Sequence, residues 1–247
     1  MDRLAQTSLS ALRSAMARQA ATANNLANVD TVGFRGEMAS ARALWIRGGG
    51  LESRALASEE VTGADFRGGA VTETGRPLDV ALEGDALLAV QAENGEEAYT
   101  RRGDLQLSET GLLTTGEGTP VLGDEGPITL PPADSVKIEQ DGAIWIVPTG
   151  GDPSTPQLAG RLKLASPIGS QVVKGTDGLF RVQGGGILPG DATARLVSGR
   201  LEGSNVEATK ALTDMIEASR AWDTQLKLIT TARDLDSSTT DLMRMPD

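Results

Sequence analysis

Four acidic side chains in the middle of the 247-residue chain could supply a pair of catalytic carboxylates: Glu93, Glu96, Glu97 and Asp104. Most glycoside hydrolases work with two carboxyl groups that lie about 5 to 9.5 Å apart. Nothing in the surrounding sequence would raise the pKa of one of these carboxyl groups, so a solvated acidic surface is the favoured interpretation. We therefore expect no catalytic residues, and we keep a sugar-directed site in this region as the alternative.

The chain has no histidine and no cysteine. It therefore lacks the commonest general base, the commonest metal ligand and any thiolate nucleophile. Aromatic residues make up only 3% of the sequence, which counts against a sugar-binding module because sugar sites commonly stack on aromatic rings. We expect no metal ion, no cofactor and no small-molecule substrate.

Two glycine runs and two Asp-Gly pairs are weak signals for ligand binding. Gly48 to Gly50 and Gly184 to Gly186 lack the sequence context of a phosphate-binding loop, so both runs are interpreted as turns. The segments "DGAI" from Asp141 and "TDGL" from Thr176 lack the alternating ligands of a calcium loop. Both are interpreted as turns as well.

The charge balance restricts the class of partner. The net charge is −11. The stretch from Glu83 to Glu125 contains ten acidic residues and only two basic ones, Arg101 and Arg102. Such a chain would be repelled by nucleic-acid phosphates and by an anionic membrane surface. The opening "MDRLAQTSLSALRSAM" has no secretory apolar run, and no segment approaches the roughly 20 apolar residues of a membrane span. We expect neither a cleaved signal peptide nor a membrane-spanning segment.

Apolar residues repeat with a heptad period at both ends of the chain. Alternating steps of four and three residues predict one seam over Ala5, Leu9, Leu12, Met16, Gln19, Ala23 and Leu26, and a second over Ala208, Leu212, Met215, Ser219, Trp222, Leu226 and Ile229. Periodicity alone gives even odds that the two helices simply pack inside a monomer. The remaining surfaces of alanine, serine and threonine favour assembly with further helices.

Two short signals predict where these terminal helices begin and end. Ser204 and Glu207 have the spacing of a capping box, so the second helix is expected to begin close to Asn205. Three asparagines, Asn24, Asn25 and Asn28, crowd the end of the first helix. Asparagine has a low propensity for helix interiors because its amide competes for backbone hydrogen bonds. We therefore expect these side chains to have specific hydrogen-bond partners.

The region between the terminal helices changes to short runs of period two separated by glycine. The segments "LDVAL" from Leu78, "VKIEQDGAIWIV" from Val136 and "RLKLA" from Arg161 predict strands, and Asp141-Gly142 predicts a hairpin turn. The segments from Arg47 and from Val147 are expected to be extended connectors or loops. Many short strands with frequent turns are typical of a β domain.

Several segments resemble one protein family in the same order along the chain. They are "ANNLANVDTVGFRG" from Ala23, "GRPLDVALEGDALLAV" from Gly75, "YTRRGDLQLSETGLLTTGEGTPVLG" from Tyr99, "DGLFRV" from Asp177 and "GRLEGSNVEATKALTDMIEASRAWDTQLKLITT" from Gly199. The chain thereby resembles the axial proteins of the bacterial flagellum, the rod and hook family. The opening "MDRL", the length and "GADFRGGAVTETGRPLDVAL" from Gly63 are most similar to the proximal-rod branch, and the distal-rod branch is the near alternative.

This resemblance implies a structural, non-enzymatic subunit of the flagellar basal body. It implies a tubular rod in the periplasm that transmits torque, and export through the flagellar type III apparatus. The implied partners are other proximal and distal rod proteins, copies of the same chain and that export apparatus. In this setting Asn24, Asn25 and Asn28 are expected to hydrogen-bond neighbouring subunits or the following turn, with capping of their own helix as the alternative for Asn28.

The combined expectation is an α+β chain whose terminal helices form a coiled-coil-like inner domain around a mainly β centre. The expected segments are an axial helix and turn over 1–35, an extended connector over 36–75, a β-rich domain over 76–198 and a second axial helix over 199–247. Gly33 is expected to supply the backbone freedom for the turn, and Phe34 an apolar anchor after it. The rival from another class is a periplasmic carbohydrate-active enzyme or sugar-binding module built on the β domain.

Overall fold

The computed structural model of the chain describes residues 2–45 and 55–243. Within these ranges the chain begins and ends with an α-helix, and a long series of short strands lies between them in the sequence. The elements in chain order are α1 (Asp2–Ala27), β1 (Glu37–Trp45), β2 (Ala55–Ala64), β3 (Val71–Glu73), β4 (Val80–Leu82), β5 (Leu87–Gln91), β6 (Glu97–Thr100), β7 (Leu105–Leu107), β8 (Leu113–Thr115), β9 (Leu122–Gly123), β10 (Gly126–Pro127), β11 (Ala133–Ile138), β12 (Ala143–Pro148), β13 (Gln157–Arg161), β14 (Leu164–Ala165), β15 (Val172–Lys174), β16 (Phe180–Val182), β17 (Leu196–Ser198), β18 (Arg200–Glu202) and α2 (Ala208–Met243). The mixed fold with a mainly β centre confirms that part of the sequence prediction.

The chain divides into two compact units. The first unit contains α1, β1, β2 as far as Gly63, and α2, and the second contains Asn28–Gly36 and Ala64–Val206. In the first unit α1 contacts α2, and β1 pairs with β2. Each unit is therefore built from segments that are far apart in the sequence.

Both predicted terminal helices are present. Helix α1 consists largely of alanine, leucine and other residues that form helices well, and it ends at Ala27, directly before Asn28. In the described ranges, neither helix has a stretch that is long and apolar enough to cross a membrane.

The predicted start of α2 near Asn205 is wrong, because the helix begins at Ala208. The amide of Asn205 is committed elsewhere in the second unit: its oxygen accepts from the Gly36 N–H at 2.7 Å, and its Nδ2 donates to the Asp65 carbonyl at 2.7 Å. The predicted capping box is also wrong. The Ser204 hydroxyl accepts from the Val206 N–H at 3.2 Å, which closes a local turn before the helix.

The predicted hairpin at Asp141-Gly142 is confirmed. Strands β11 and β12 pair antiparallel, and Gly142 turns the chain with φ of +83°. "LDVAL" forms β4 over its last three residues, but "RLKLA" is interrupted at Lys163 and divides between β13 and β14. A bridge from Leu162 to Gly123 and a hydrogen bond from the Lys163 N–H to the Leu122 carbonyl divert the backbone at that point.

The two predicted connectors contain more pairing than the sequence suggests. Residues 47–54 lie outside the described ranges, but the rest of that segment belongs to β2. The segment from Val147 completes β12, turns over residues 149–156 and then forms β13. Short stretches of strand can form here because each pairs with a neighbour along the chain.

The centre of the second unit is a five-stranded sheet with the order β14-β5-β6-β16-β15. Strand β5 is buried on both faces, since Leu88 and Val90 contribute to one apolar cluster and Leu87 and Ala89 to another. Alternate residues of a strand point to opposite faces, so a continuous apolar run is what such a position requires. The segment "ALLAV" meets that requirement.

Tyr99 on β6 is fully buried in the second of these clusters. Its hydroxyl donates to Glu97 Oε1 at 2.7 Å and accepts from the Leu188 N–H at 2.5 Å. Burial raises the pKa of the Tyr99 phenol well above its ordinary value, and the adjacent Glu97 carboxylate raises that pKa further. The fold therefore holds this phenol in its neutral form.

Because Tyr99 is the single tyrosine of the chain, an ultraviolet titration of tyrosinate reports on it alone. We expect no ionisation of Tyr99 in the folded protein at about pH 10, where an ordinary tyrosine is half ionised. In urea, where the chain is unfolded, Tyr99 should ionise at about pH 10. The raised pKa stabilises the fold below about pH 10, and this contribution is lost as the pH rises above that value. A normal titration of the folded chain would contradict this prediction, and Tyr99→Phe is the control that should lack the pH-dependent loss.

Candidate assembly surface

The side chains of α2 that are withdrawn from solvent repeat at alternating steps of three and four residues. They form an inner stripe, defined as Ala208, Ala211, Met215, Ala218, Trp222, Gln225, Ile229 and Ala232. On α1, which contacts α2, the buried side chains within residues 9–27 are Ser14, Ala15 and Ala21. Small residues on both helices allow the two backbones to approach closely.

The inner stripe shares four of the seven positions of the seam that the sequence predicts for α2. Met215, Trp222 and Ile229 belong to both, together with Ala208. The predicted positions Leu212, Ser219 and Leu226 are exposed, and each is replaced in the inner stripe by the residue just before it. Ala211 and Ala218 take the places predicted for Leu212 and Ser219, and Gln225 takes the place predicted for Leu226.

Several other large apolar side chains of the two helices remain in contact with solvent. The exposed fraction is 46% for Leu9, 53% for Met16, 49% for Leu212 and 40% for Leu226, and it is of the same order for Ile216, Leu228 and Leu235. Leu12 and Leu26 are half-buried. Single exposed leucines are normal, but apolar residues on several sides of a helix indicate that it is meant to be covered further.

Six exposed positions of α1 fall on one face, whereas exposed Arg18 lies on the other side of the helix. This outer stripe, defined as Leu9, Arg13, Met16, Ala20, Ala23 and Ala27, has steps of four and three residues, and all six positions are exposed. The buried Ala15 and Ala21 lie on the opposite face of the helix, at about 100° of rotation per residue. Helix α1 therefore has one face for α2 and another face that the described part of the chain leaves exposed.

Asn24 and Asn25 bind the residue that opens β1. The Asn25 amide makes two bonds to the backbone of Glu37, donating to its carbonyl at 2.9 Å and accepting from its N–H at 2.7 Å. Asn24 Nδ2 donates to the Glu37 carboxylate at 2.6 Å. These two asparagines thus join the end of α1 to the start of the strand that follows it.

Asn28, Gly33 and Phe34 build the turn between those elements. The Asn28 carbonyl accepts from the Thr31 N–H, and the Asn28 side chain accepts from the Thr31 hydroxyl at 3.1 Å. Gly33 has φ of +66°, and a Cβ at this position would lie 2.4 Å from the Arg101 carbonyl oxygen, so glycine is required there. Half-buried Phe34 carries the Lys174 ammonium 3.6 Å above its ring centroid.

A buried carboxylate connects the first and last segments of the second unit. Glu202 Oε1 accepts from Arg35 Nη2 at 2.7 Å and from the Gly69 N–H, while Oε2 accepts from Arg101 Nη2 at 2.6 Å. The exposed fraction is 3% or less for each of the three charged side chains. The Gly33 N–H also donates to the Glu202 carbonyl at 2.7 Å.

The network holds two guanidinium groups and a single carboxylate. Arg101 uses its other donors on the carbonyls of Leu82, Gly84 and Ala86. Burial lowers the pKa of Arg101, and the Glu202 carboxylate opposes that shift. Two nitrogens of Arg35, Nε and Nη1, have no hydrogen-bond partner among the described residues. Glu202 is therefore the principal counter-charge of both arginines.

Sequence reasoning missed Arg35, Arg101 and Glu202. Each lies inside a segment that carries the family resemblance. A charged residue close to glycine is equally well explained as a solvated residue of a loop, so the sequence did not indicate burial. The sequence offered only a weak signal for a buried Glu202: it follows Leu201 in a segment with the alternation of a strand, and it precedes a glycine. The partners are separated by 167 and 101 residues, so no local pattern connects them.

Three of the four acidic residues considered as catalytic candidates have structural partners. Glu97 binds the Lys163 ammonium at 2.7 Å and accepts from Tyr99, and Asp104 binds the Arg102 guanidinium at 2.7 Å. Glu96 accepts from the Asn94 amide, and Glu93 is exposed. These contacts favour the structural interpretation of the four carboxylates over a glycosidase pair.

Three family models match the chain in order. A model described as flagella basal body rod protein matches residues 6–35, one described as flagellar hook protein FlgE/F/G D1 domain matches residues 81–146, and one described as flagellar basal body rod FlgEFG protein C-terminal matches residues 197–242. The first and last matches contain most of the terminal helices, and the middle match lies in the β region.

Individual proteins are similar over nearly the whole chain. The flagellar basal-body rod proteins FlgF of Salmonella typhimurium and of Escherichia coli are both 41% identical over 251 residues, covering 99% of this chain and 100% of each relative. The flagellar basal-body rod protein FlgG of Bacillus subtilis is 31% identical over 250 residues, covering 90% of this chain and 91% of the relative.

Replacing Glu202 by glutamine should destabilise the second unit strongly. The amide keeps the shape of the side chain but removes the charge that offsets Arg35 and Arg101, and breaking a buried ion pair costs about 3–5 kcal/mol. Urea unfolding followed by tryptophan fluorescence measures the change in the free energy of unfolding. The matched control is Glu109→Gln, at an exposed position, which should change this free energy by less than about 0.5 kcal/mol. Equal values for the two variants would contradict the role of Glu202.

Replacing Asn25 by alanine should free the backbone of Glu37. The variant loses both hydrogen bonds to that residue, so the Glu37 amide should exchange with solvent much faster than in the parent chain. Hydrogen exchange measured by NMR tests this directly. Asn94→Ala, in an exposed turn of the second unit, should leave the Glu37 exchange rate unchanged. Unaltered protection of Glu37 in the Asn25 variant would show that other contacts hold the start of β1.

Proposed function

Because the chain belongs to the flagellar basal-body rod protein family, we propose that this structural rod subunit forms part of the proximal rod and polymerises through its terminal helices. In this role it is one layer of the drive shaft that transmits motor torque towards the hook. The exposed apolar side chains of α1 and α2 are the observation that carries the proposal. A monomer that worked alone would have no use for such surfaces.

The branch of the family is supported by the degree of identity. The chain is 41% identical to two relatives named FlgF and 31% identical to a relative named FlgG, with nearly complete coverage in each comparison. The motif resemblance implies that the F-type rod proteins form the proximal rod. We therefore favour the proximal over the distal position.

We further propose a division of labour along the chain. Residues 1–35 and 199–247 form the inner, coiled-coil-like wall of the rod, residues 36–75 act as the connector, and residues 76–198 form an outward-facing β domain. The heptad steps of the inner stripe and the outer stripe support this arrangement. The residues that we expect to take part in assembly are Leu9, Leu12, Met16, Asn24, Asn25, Leu26, Asn28, Gly33, Phe34, Ser204, Asn205, Leu212, Met215, Trp222, Leu226 and Ile229.

Partners and location follow from the family. The chain assembles with other rod proteins of the flagellar basal body, and we propose copies of itself and the flagellar type III export apparatus as further partners. We place the assembled subunit in the periplasmic part of the rod. We propose no enzymatic activity, which the ion-pairing of Glu97 and Asp104 supports.

A charge introduced on the exposed helix surface should block assembly while preserving the fold. Leu226 is 40% exposed in the single chain, so Leu226→Asp should barely change the stability of the subunit. In an assembled rod the same charge would be buried against a neighbouring helix, at a cost of several kcal/mol. We expect a deletion strain that produces this variant to export it, to lack rods beyond the proximal segment, and to be non-motile. Electron microscopy of isolated basal bodies measures the outcome.

Leu158→Asp is the matched control, since Leu158 is also exposed but lies on β13 of the β domain. This variant should restore motility in the same deletion strain. Normal rods in the Leu226→Asp strain would show that this surface is not used in assembly. Full-length rods in the deletion strain itself would refute a proximal position in the rod.

A further inference from the structure

The first unit contains a groove between its two helices. Small residues of both helices line it, with Ala15 and Ala21 from α1 and Ala218 and Ala221 from α2, and its volume is about 490 Å³. A groove with an alanine floor can receive larger side chains from another helix, as a hole receives a knob in helix packing.

The rim of this groove is mainly acidic. Glu37, Asp214 and Glu217 line it together with Arg18. Asp214 and Glu217 are exposed, and within the described part of the chain neither carboxylate has an ion-pair or hydrogen-bond partner. A helix that entered the groove with a basic residue in its apolar face would neutralise these two charges.

Helix α1 itself has a face of this composition. Leu9, Arg13 and Met16 are adjacent members of the outer stripe, and all three are exposed. Residues 3–29 contain three arginines and no acidic residue. The outer stripe therefore combines large apolar side chains with positive charge, whereas the groove combines small side chains with negative charge.

The outer stripe and the groove cannot meet within one chain. Ala15 and Ala21 line the groove from one side of α1, and Leu9, Arg13 and Met16 lie on roughly the opposite side at 3.6 residues per turn. An interface between two different surfaces of identical subunits leaves one of each surface free at the ends. Such an association forms an open helical series or, where the rotation closes, a ring, and it does not close as a two-fold dimer.

We propose that the outer stripe of α1 of a second copy docks into this groove, with Leu9 and Met16 over the alanine floor and Arg13 facing Asp214 and Glu217. The inference rests on the proposed rod function and names the surfaces through which neighbouring copies meet. Complementary charge at such a contact also determines which way round the partner helix lies.

Crosslinking tests the contact directly, because the natural chain contains no cysteine. Two single-cysteine variants, Ala20→Cys in the outer stripe and Ala221→Cys in the groove, are produced together in a deletion strain. Basal bodies are then isolated and treated with a short bis-maleimide. We expect a covalent dimer joined through positions 20 and 221, identified by mass spectrometry, and no such dimer when either variant is produced alone.

Charge reversal tests the role of the rim. Arg13→Glu alone, and Asp214→Arg with Glu217→Arg alone, should each lower the yield of the crosslinked dimer by roughly two- to fivefold, as expected for exposed ion pairs. Combining all three reversals should restore the yield. Lys227→Glu, an exposed position of α2 that does not line the groove, should leave the yield unchanged. Failure of the combined variant to recover would overturn the proposal.

The outcomes separate this proposal from the rod function on which it rests. If both cysteine variants are present in basal bodies but no dimer forms, a different rod protein occupies the groove and the proposal is wrong, although the rod function stands. If the natural chain itself is absent from isolated basal bodies, the rod function fails. A dimer in basal bodies that follows the charge reversals supports both.

Discussion

A buried carboxylate, that of Glu202, joins the beginning and the end of the second unit. It accepts hydrogen bonds from Arg35 and Arg101, and the backbone around it binds Gly33 and Gly69. Two buried arginines without this counter-charge would be costly, because ions removed from water must be compensated by a partner. The segments that lead out of α1 and into α2 are therefore held together at one place in this unit.

The asparagines near the end of α1 extend the same principle to polar groups without charge. Asn25 binds both the N–H and the carbonyl group of Glu37. The residue before it, Gly36, donates its N–H to the side-chain oxygen of Asn205, which lies just before α2. Each amide supplies a donor and an acceptor in one plane, so a single side chain can replace the hydrogen bonds of a missing strand. Asn28 binds the turn itself. Tight control of the chain path here suits a subunit that must present its helices to neighbours in a defined direction.

The helix pair shows how a subunit can be folded and still be incomplete. Alanines form much of the contact between α1 and α2, which leaves leucine, methionine and isoleucine side chains exposed on other faces. Small residues permit close packing within the subunit, and the exposed large residues would supply most of the apolar area in the contacts that we propose with neighbours. This distribution supports the proposed polymerisation, because these exposed apolar side chains remain available for contacts between subunits.

Local patterns in the sequence were sufficient to predict the two terminal helices, the heptad period, the turn at Gly33 and the hairpin at Asp141-Gly142. These features depend on residues that are close together in the chain. Tertiary contacts decided where α2 starts, because Asn205 is bound to Gly36 and Asp65, which are far away in the sequence. They also decided the phase of its inner stripe, in which Ala211 and Ala218 are buried and the adjacent Leu212 and Ser219 are exposed. The partners of Glu202 lie 101 and 167 residues away. Periodicity shows that a helix has an apolar face, but only the folded chain decides which neighbour covers it.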